Sequence, residues 1–531
     1  MAAALQIDEM AMTFRVLVTD TLADSGLDVL RAADDVELDY RAGLKGDELL
    51  KAVAESDALI TRSGTAVTEE LVNAGDRLRV IGRAGVGLDN VDVDACTRRG
   101  ILVINAPTAN IMSATEHTMA MLLALCRNIP AAHASVKNGE WKRSKFMGIE
   151  LDQKTLGIIG LGKIGTRVAH RARAFGMNVI AYDPYIADFT VAQRVMLDEL
   201  LARADVITVH TPLTDETRGM IGPAEFAKMK EGAIVLNIAR GGIYDEQALA
   251  DALTSGKVAG AAIDVYEEEP PGKDHPLLNA PNVVLSPHIG ANTIEAQDRV
   301  AVQTSEMVVE ALRGSIFVSA VNLPFGGSSE AAPMIALAER LGAFVSQVIS
   351  GPVTRVVLDL WEVDESLRKI LSLAALKGLL SPHVDHVNFV NADQIAEQRG
   401  ITVSTSFHKK PKDYTNLITL RVITPNDEMC VSGTVFSERN LRIVAVRDFR
   451  VEFKPEGYLL YVINKDVPGV VGKIGTFLGD AGVNIAEYNL ARASTGGTAM
   501  AFITIDTPLD DRGLDVMRYF PYIEEVKQVR L

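Results

Sequence analysis

With 531 residues the chain is long enough for several domains, and 48% hydrophobic against 23% charged residues is an ordinary globular balance. A formal net charge of −16 argues against nucleic acid as a partner, which needs a basic field, but not against a local basic pocket for an anionic substrate. Cys96, Cys126 and Cys430 stand too far apart for a disulfide framework or a metal knot, so reduced thiols and no metal are expected.

No apolar run approaches the ~18 residues that span a bilayer. The opening MAAALQIDEMAMTF carries Asp8 and Glu9 and no arginine before Arg15, which suits neither a secretory signal nor a transit peptide. A cytoplasmic chain with no membrane partner is expected. From Phe14 the short runs FRVLVTD, DALITRS (Asp57 to Ser63), LRVIGRAG (Leu78 to Gly85) and ILVINAP (Ile101 to Pro107) read as strands separated by helices such as Gly46 to Ala54 and Val67 to Ala74. Near-continuous apolar strands between helices predict a parallel sheet covered on both faces, with functional residues just past the strand C-termini, where Arg62 and Arg83 fall. A long apolar helix, Ser113 to Cys126, then leads through the basic segment WKRSKFMG (Trp141 to Gly148).

Next comes LGIIGLGKIGTRVAHRARAFGMNVIAYDP, from Leu156 to Pro184. Its apolar strand, the spacing Gly160-x-Gly162-x-x-Gly165, a helical pattern and a second strand ending at Asp183 form one βαβ unit in register. Gly160 permits the tight turn, Gly162 lets the backbone approach a pyrophosphate, and Gly165 lets helix and strand pack closely. Lys163 and Ile164 supply backbone at the turn, and the phosphates sit at the helix N-terminus. Asp183 is placed to accept from the adenosine ribose hydroxyls and to repel a 2′-phosphate, which favours NAD over NADP. Strands at Asp205 to Val209, Ala233 to Asn237, Gly260 to Val265 and Asn282 to Leu285 bring the sheet to six, two mononucleotide halves of a Rossmann-type α/β fold.

The helix Thr293 to Leu312 follows, and Val321 to Pro333 reads as a linker. Met334 to Phe453 reads only as a small mixed domain with a helical start. The last stretch is clearer, two β-α-β arms in the order βαββαβ, a ferredoxin-like sandwich.

Arg240 after NIA, Glu269 in EEEPP and His288 in SPHIGA each fall just beyond a predicted strand. Oxidising a secondary alcohol needs a base for the hydroxyl proton while the hydride leaves for a nicotinamide; histidine suits that task in both directions. A neighbouring carboxylate orients the ring and stabilises the imidazolium, and a guanidinium binds a substrate carboxylate with a forked pair of donors. His117, in a helical apolar run, reads as a packed or capping residue.

GLGKIG with NIARGG, DVYEEEPP and SPHIGA resembles the D-isomer-specific 2-hydroxyacid dehydrogenase family, whose catalytic Arg, Glu and His match Arg240, Glu269 and His288. The same resemblance implies that Val86, Thr211, Pro212, Ile238, Ala239, Asp264, Gly290 and Ala291 line the NAD cleft together with Arg240 and His288, with His210 close by. TRSGTAVT, GRAGVGLDNVD, WKRSKFMGIEL, HVNFVNADQIAEQRGI (His386 to Ile401) and NKDVPGVVGKIGTFLGDAGVNIAEYNL look like the long-form D-3-phosphoglycerate dehydrogenase family over essentially the whole chain. That resemblance implies a flavodoxin-like substrate domain (14–107 and 292–325) into which the NAD domain (108–291) is inserted, an intervening domain (334–453) and an ACT regulatory domain (457–531).

The implied substrate is 3-phospho-D-glycerate, its phosphate held by Arg62 with Lys142, Arg143 or Lys145. Ser63 and Arg83 stand nearby, and Arg240 with backbone near Gly85 takes the carboxylate. In serine-sensitive relatives an effector sits at positions matching Asn464, Asp466 and Asn484; Asn464 stands where some have His. Self-association into a dimer or tetramer is expected, with the Ser113 to Cys126 helix as its surface. The rival readings are a glyoxylate or hydroxypyruvate reductase, which needs no C-terminal extension, and a non-enzymatic NAD-sensing corepressor on the same core.

Overall fold

The structure is a computed structural model that describes residues 13–186, 190–315, 320–323, 331–409, 413–437, 439–492, 494 and 496–531. The first sheet contains β1 (Phe14–Val18), β2 (Val36–Tyr40), β3 (Ala58–Thr61), β4 (Val80–Arg83) and β5 (Leu102–Asn105), all parallel, in the order β2-β1-β3-β4-β5. The four apolar runs form β1, β3, β4 and β5. The sequence reading missed β2, VELDY, because an edge strand half open to solvent has no continuous apolar run. Helix Ile294–Leu312 returns to cover this sheet, placing Val300 and Val308 in one core with Ile60, Val80 and Ile104.

The second sheet holds β6 (Thr155–Ile159), β7 (Asn178–Tyr182), β8 (Gln193–Arg194), β9 (Val206–Val209), β10 (Ala233–Asn237), β11 (Val258–Ile263) and β12 (Val283–Leu285). Its order, β12-β11-β10-β9-β6-β7-β8, is the doubly wound pattern, with β8 a seventh, two-residue edge strand where six strands were expected. β6 and β9 lie side by side at the point where the order reverses, Ile159 opposite Val209, and a crevice opens beyond their C-terminal ends. Helix Ile111–Cys126 packs on Lys163–Ala174 and on the sheet, with Met119 and Leu122 buried against Val168 and Ala172. It is therefore largely an internal helix. The exposed apolar side chains expected on it lie mostly just beyond, at Ile129, Val136, Trp141 and Met147, with Met112 near its start.

Of the linker expected at Val321 to Pro333, residues 324–330 lie outside the described residues, and Ala332 already opens a helix to Val348. The third sheet contains β13 (Arg355–Trp361), β14 (Thr402–His408), β15 (Leu417–Ile423), β16 (Glu428–Phe436), β17 (Asn440–Val446) and β18 (Phe449–Phe453), antiparallel except for the β13–β14 pair. The final sheet, β20-β21-β19-β22, is built from β19 (Tyr458–Lys465), β20 (Ile485–Arg492), β21 (Thr498–Ile505) and β22 (Ile523–Arg530). Helices Val470–Asp480 and Asp511–Arg518 complete βαββαβ.

These last two sheets share one core. Phe453 stacks on Phe502 with ring centroids 4.7 Å apart, and Phe344 and Tyr461 close the cluster. Gln347 and Arg530 exchange two hydrogen bonds of 3.0 Å across the same seam. Among the described residues no single helix is long and apolar enough to cross a membrane.

Candidate active site

The chain leaves β6 through Gly160, in the left-handed region at φ 91°, where a Cβ would stand 2.7 Å from the His210 carbonyl oxygen. A Cβ on Gly165 would reach within 2.2 Å of the Gly160 oxygen, so the helix can lie this close to the strand only without one. Gly162 faces open space. It caps helix Lys163–Ala174 with no side-chain hydrogen bond and no acidic residue in the first turn. The unpaired N–H groups of that turn therefore suit a pyrophosphate. Asp183 is buried and accepts from the amides of Leu161 (2.9 Å), Tyr185 (2.9 Å) and Ile186 (3.2 Å). It thereby braces the glycine turn.

Beside the turn is a cavity of about 630 Å³. Val86, Lys163, Ile164, Thr211, Pro212, Ile238, Ala239, Arg240, Asp264, His288, Gly290 and Ala291 all line it, whereas Gly160, Gly162, Gly165 and Asp183 form the turn behind. Thr211 Oγ1 is buried there without a hydrogen-bond partner, which a polar ligand group would supply. Burial lowers the His210 imidazole to about 4, so that ring faces the cleft neutral. The donor-rich turn, the orphaned hydroxyl and the apolar walls fit a dinucleotide, and NAD is the cofactor.

At the far end His288 Nδ1 lies 2.7 Å from Glu269 Oε2, while Glu269 Oε1 accepts the Tyr266 amide at 3.1 Å. Partial burial would raise the Glu269 carboxyl, but the His288 contact and the Tyr266 amide outweigh it and hold the group below the ordinary carboxylate value. Glu269 thus stays ionised near neutrality. Its acceptor oxygen places the His288 proton on Nδ1 and leaves Nε2 free as a base. Arg240 ends the β10 loop, which Asn237 ties by donating to the Arg240 carbonyl (2.8 Å) and accepting from the Ala239 amide (3.1 Å). The guanidinium lies 3.4 Å from Asp89 and would touch a Cβ on Gly87, so it reaches across to the first sheet's loop.

Arg83 is largely buried at the end of β4. Burial, then the charges of Arg240 and Arg62, depress its guanidinium from the usual arginine value, and its Nε has no partner. Arg83 folds over Gly85, where a Cβ would overlap Nη1. Arg62 is anchored by its amide to Asp20 (2.6 Å) and by Nη1 to the Thr21 carbonyl (3.1 Å), beside the exposed Ser63. Arg83 thus feels the charges of both Arg240 and Arg62, although of the three only Arg240 lines the cavity. The expected convergence of Lys142, Arg143 and Lys145 on Arg62 does not occur within the chain. These three are exposed in and beside a short turn, Lys142 lies 3.7 Å from Glu140, and none lines the cleft.

Of the effector positions, Asn464 is buried with Oδ1 unpartnered, Asp466 accepts from Arg492 (3.2 Å) and the Gly496 amide (3.1 Å), and Asn484 donates to Asp506 (2.7 Å). Sequence reasoning missed Asp89, Ser286 and His117. Ser286 stands two positions before His288 in the SPHIGA motif, a signal that could have found it; His117 and Asp89 are visible only once helix and loop are folded against the cleft.

Residues 119–290 match the family described as "D-isomer specific 2-hydroxyacid dehydrogenase, NAD binding domain", and residues 330–447 match "D-3-phosphoglycerate dehydrogenase intervening domain". The chain is 42% identical to D-3-phosphoglycerate dehydrogenase of Bacillus subtilis over 531 residues, covering 98% of this chain and 100% of the relative. It is also 42% identical to that of Methanocaldococcus jannaschii over 528 residues, covering 97% and 100%. Among solved structures it resembles the TT0316 protein from Thermus thermophilus (37% identity, TM-score 0.55, 58% of this chain and 99% of that one). It also resembles D-lactate dehydrogenase from Aquifex aeolicus complexed with NAD and lactic acid (30%, TM-score 0.52, 59% and 100%). The motifs that bracket the cleft and the full-length relatives agree, and the chain belongs to the D-3-phosphoglycerate dehydrogenase family.

Proposed function

We propose that the protein oxidises 3-phospho-D-glycerate at C2 to 3-phosphooxypyruvate, the first step of the phosphorylated route to L-serine, and that the same site runs the reverse reduction. The observation that carries this reading is the 2.7 Å His288–Glu269 contact beside Arg240 on one cleft wall. NAD, when bound, accepts the C2 hydride. Nε2 of His288 removes the C2 hydroxyl proton, and ionised Glu269 stabilises the imidazolium that forms. Arg240 binds the substrate carboxylate and polarises the developing carbonyl. Arg83, whose buried Nε lacks a partner, and Arg62 hold the phosphate end.

The C-terminal βαββαβ unit acts in this reading as an ACT module. The buried, unpartnered Asn464 Oδ1 beside Asp466 supports L-serine as effector, while Asn484 stands at the other end of the sheet, next to the Ile485–Ile505 pair. Its core, shared with the preceding sheet, would carry the signal inward. The exposed apolar side chains Ile129, Val136, Trp141 and Met147 support a homo-oligomer, a dimer or tetramer. NAD-linked turnover of 3-phosphoglycerate and of unphosphorylated D-2-hydroxy acids, with and without L-serine, tests the whole reading; a faster unphosphorylated substrate would overturn it.

A further inference from the structure

His288 sits at φ 52°, a conformation a non-glycine residue keeps only when its surroundings over-determine it. The constraint comes from behind the cleft wall. Asp264 Oδ1 accepts the Ile289 amide at 2.9 Å and Oδ2 accepts the Gly290 amide at 2.8 Å, so one carboxylate pins the two peptide groups that follow His288. Asp264 is itself fully buried, and a buried carboxylate holds its charge only with donors on every side. Ser286 Oγ donates to Oδ1 at 2.6 Å. His117 Nε2, on helix Ile111–Cys126, lies 3.2 Å from the same oxygen and 3.3 Å from Ser286 Oγ. An ionised carboxylate only accepts, so Nε2 carries the hydrogen and donates. Burial pushes the Asp264 carboxyl up, and the bonds from His117, Ser286 and Ile289 overcome it and leave the group below its ordinary value.

A histidine on an apolar helix is commonly just packed. Here, however, it aims its ring nitrogen at the carboxylate that fixes the catalytic loop. We propose that His117 and Ser286 are positioning residues for the oxidation: they orient Asp264, which clamps the Ile289 and Gly290 amides and so holds His288 between Glu269 and the cleft. Neither touches the reacting atoms. This inference rests on the dehydrogenase reading but not on which 2-hydroxy acid is used.

The test compares His117→Leu, His117→Gln and Ser286→Ala in the full-length enzyme, using 3-phosphoglycerate and its C2-deuterated form, with NADH binding and thermal unfolding measured alongside. His117→Leu should lower kcat roughly ten- to a hundredfold, the loss expected for one hydrogen bond to a charged group, with KM moving by less than about threefold. Its deuterium isotope effect on kcat should rise as hydride transfer becomes limiting, a change that a merely structural role would not produce. His117→Gln, which returns an N–H donor at similar reach, should recover most of the rate, and Ser286→Ala should lose rate in the same direction. An unchanged kcat and isotope effect in His117→Leu overturns the proposal. So does a His117→Gln enzyme no better than His117→Leu while both bind NADH and melt like the unmodified protein. If the unmodified enzyme prefers another acid, the substrate reading fails and the same comparison is run on that acid.

Discussion

Replacing Glu269 by Gln isolates the charge of the His288 partner. The amide is nearly isosteric and its oxygen can still accept from Nδ1, so the ring keeps its orientation, but its NH2 then meets the Tyr266 N–H and the imidazolium formed during oxidation loses its counter-charge. A hydrogen bond to a charged group contributes about 1.5–3 kcal/mol. His288 is 44% and Glu269 37% exposed, so solvent screening favours the lower half of that range, and we take roughly 2 kcal/mol. Because the charge develops only as the proton moves, the loss falls on the transition state, and kcat should drop roughly thirtyfold. KM for the hydroxy acid should barely change, since Arg240 rather than Glu269 meets the substrate. Glu269→Ala should be worse, because it also removes the acceptor that orients Nδ1 of His288. Steady-state kinetics with NADH absorbance as readout decide it. A Glu269→Gln enzyme with kcat within about threefold of the unmodified protein would refute the assignment of Glu269 as the imidazolium's partner.

Asp183→Asn should weaken NAD binding by removing charge from the ribose site and relax discrimination against NADP, which coenzyme titrations would show. Phe502→Ala opens the core shared by the last two sheets and should cost about 3–5 kcal/mol, read as a lowered unfolding midpoint; independent melting of the two units, with only the last affected, would contradict a common core. Asp264 makes stability pH-dependent with a definite sign. Its folded value lies below the ordinary ~3.9, so its contribution is fully present above that value and is lost as pH falls through the folded value. Asp264→Asn should flatten that acid limb, measured as unfolding midpoint against pH.

Much of this was legible in the sequence where one strong period or motif governs. The apolar runs of β1, β3, β4 and β5 and the glycine spacing after β6 follow from burial and backbone conformation, which leave a local signature, whereas Arg240, Glu269 and His288, just past β10, β11 and β12, are singled out by family motifs. The misses share a different cause. Edge strand β2 has only a half-buried face, with Val36 and Leu38 against the core, and β8 has none, so VELDY and QR look like loops. The Ser113 to Cys126 helix, expected as self-association surface, buries much of its apolar face within the chain, and a sequence does not say which partner covers a hydrophobic face. The cations of the Trp141 to Gly148 segment seemed destined for Arg62 on charge alone, yet chain geometry directs them to solvent. His117 is the sharpest case: it sits on a largely apolar helix, and its partner Asp264 comes from the distant end of β11.

The central claim is that one cleft brings NAD, the His288–Glu269 pair and Arg240 to the C2 atom of a phosphorylated hydroxy acid. The most direct measurement is kcat/KM for NAD-dependent oxidation of 3-phospho-D-glycerate against D-glycerate, with His288→Ala alongside. Two guanidiniums on the phosphate predict a preference on the order of a hundredfold or more for the phosphorylated acid. His288→Ala should lose turnover by orders of magnitude while binding NADH nearly as before. Equal or faster oxidation of D-glycerate, or a His288→Ala enzyme that still turns over, would contradict the account.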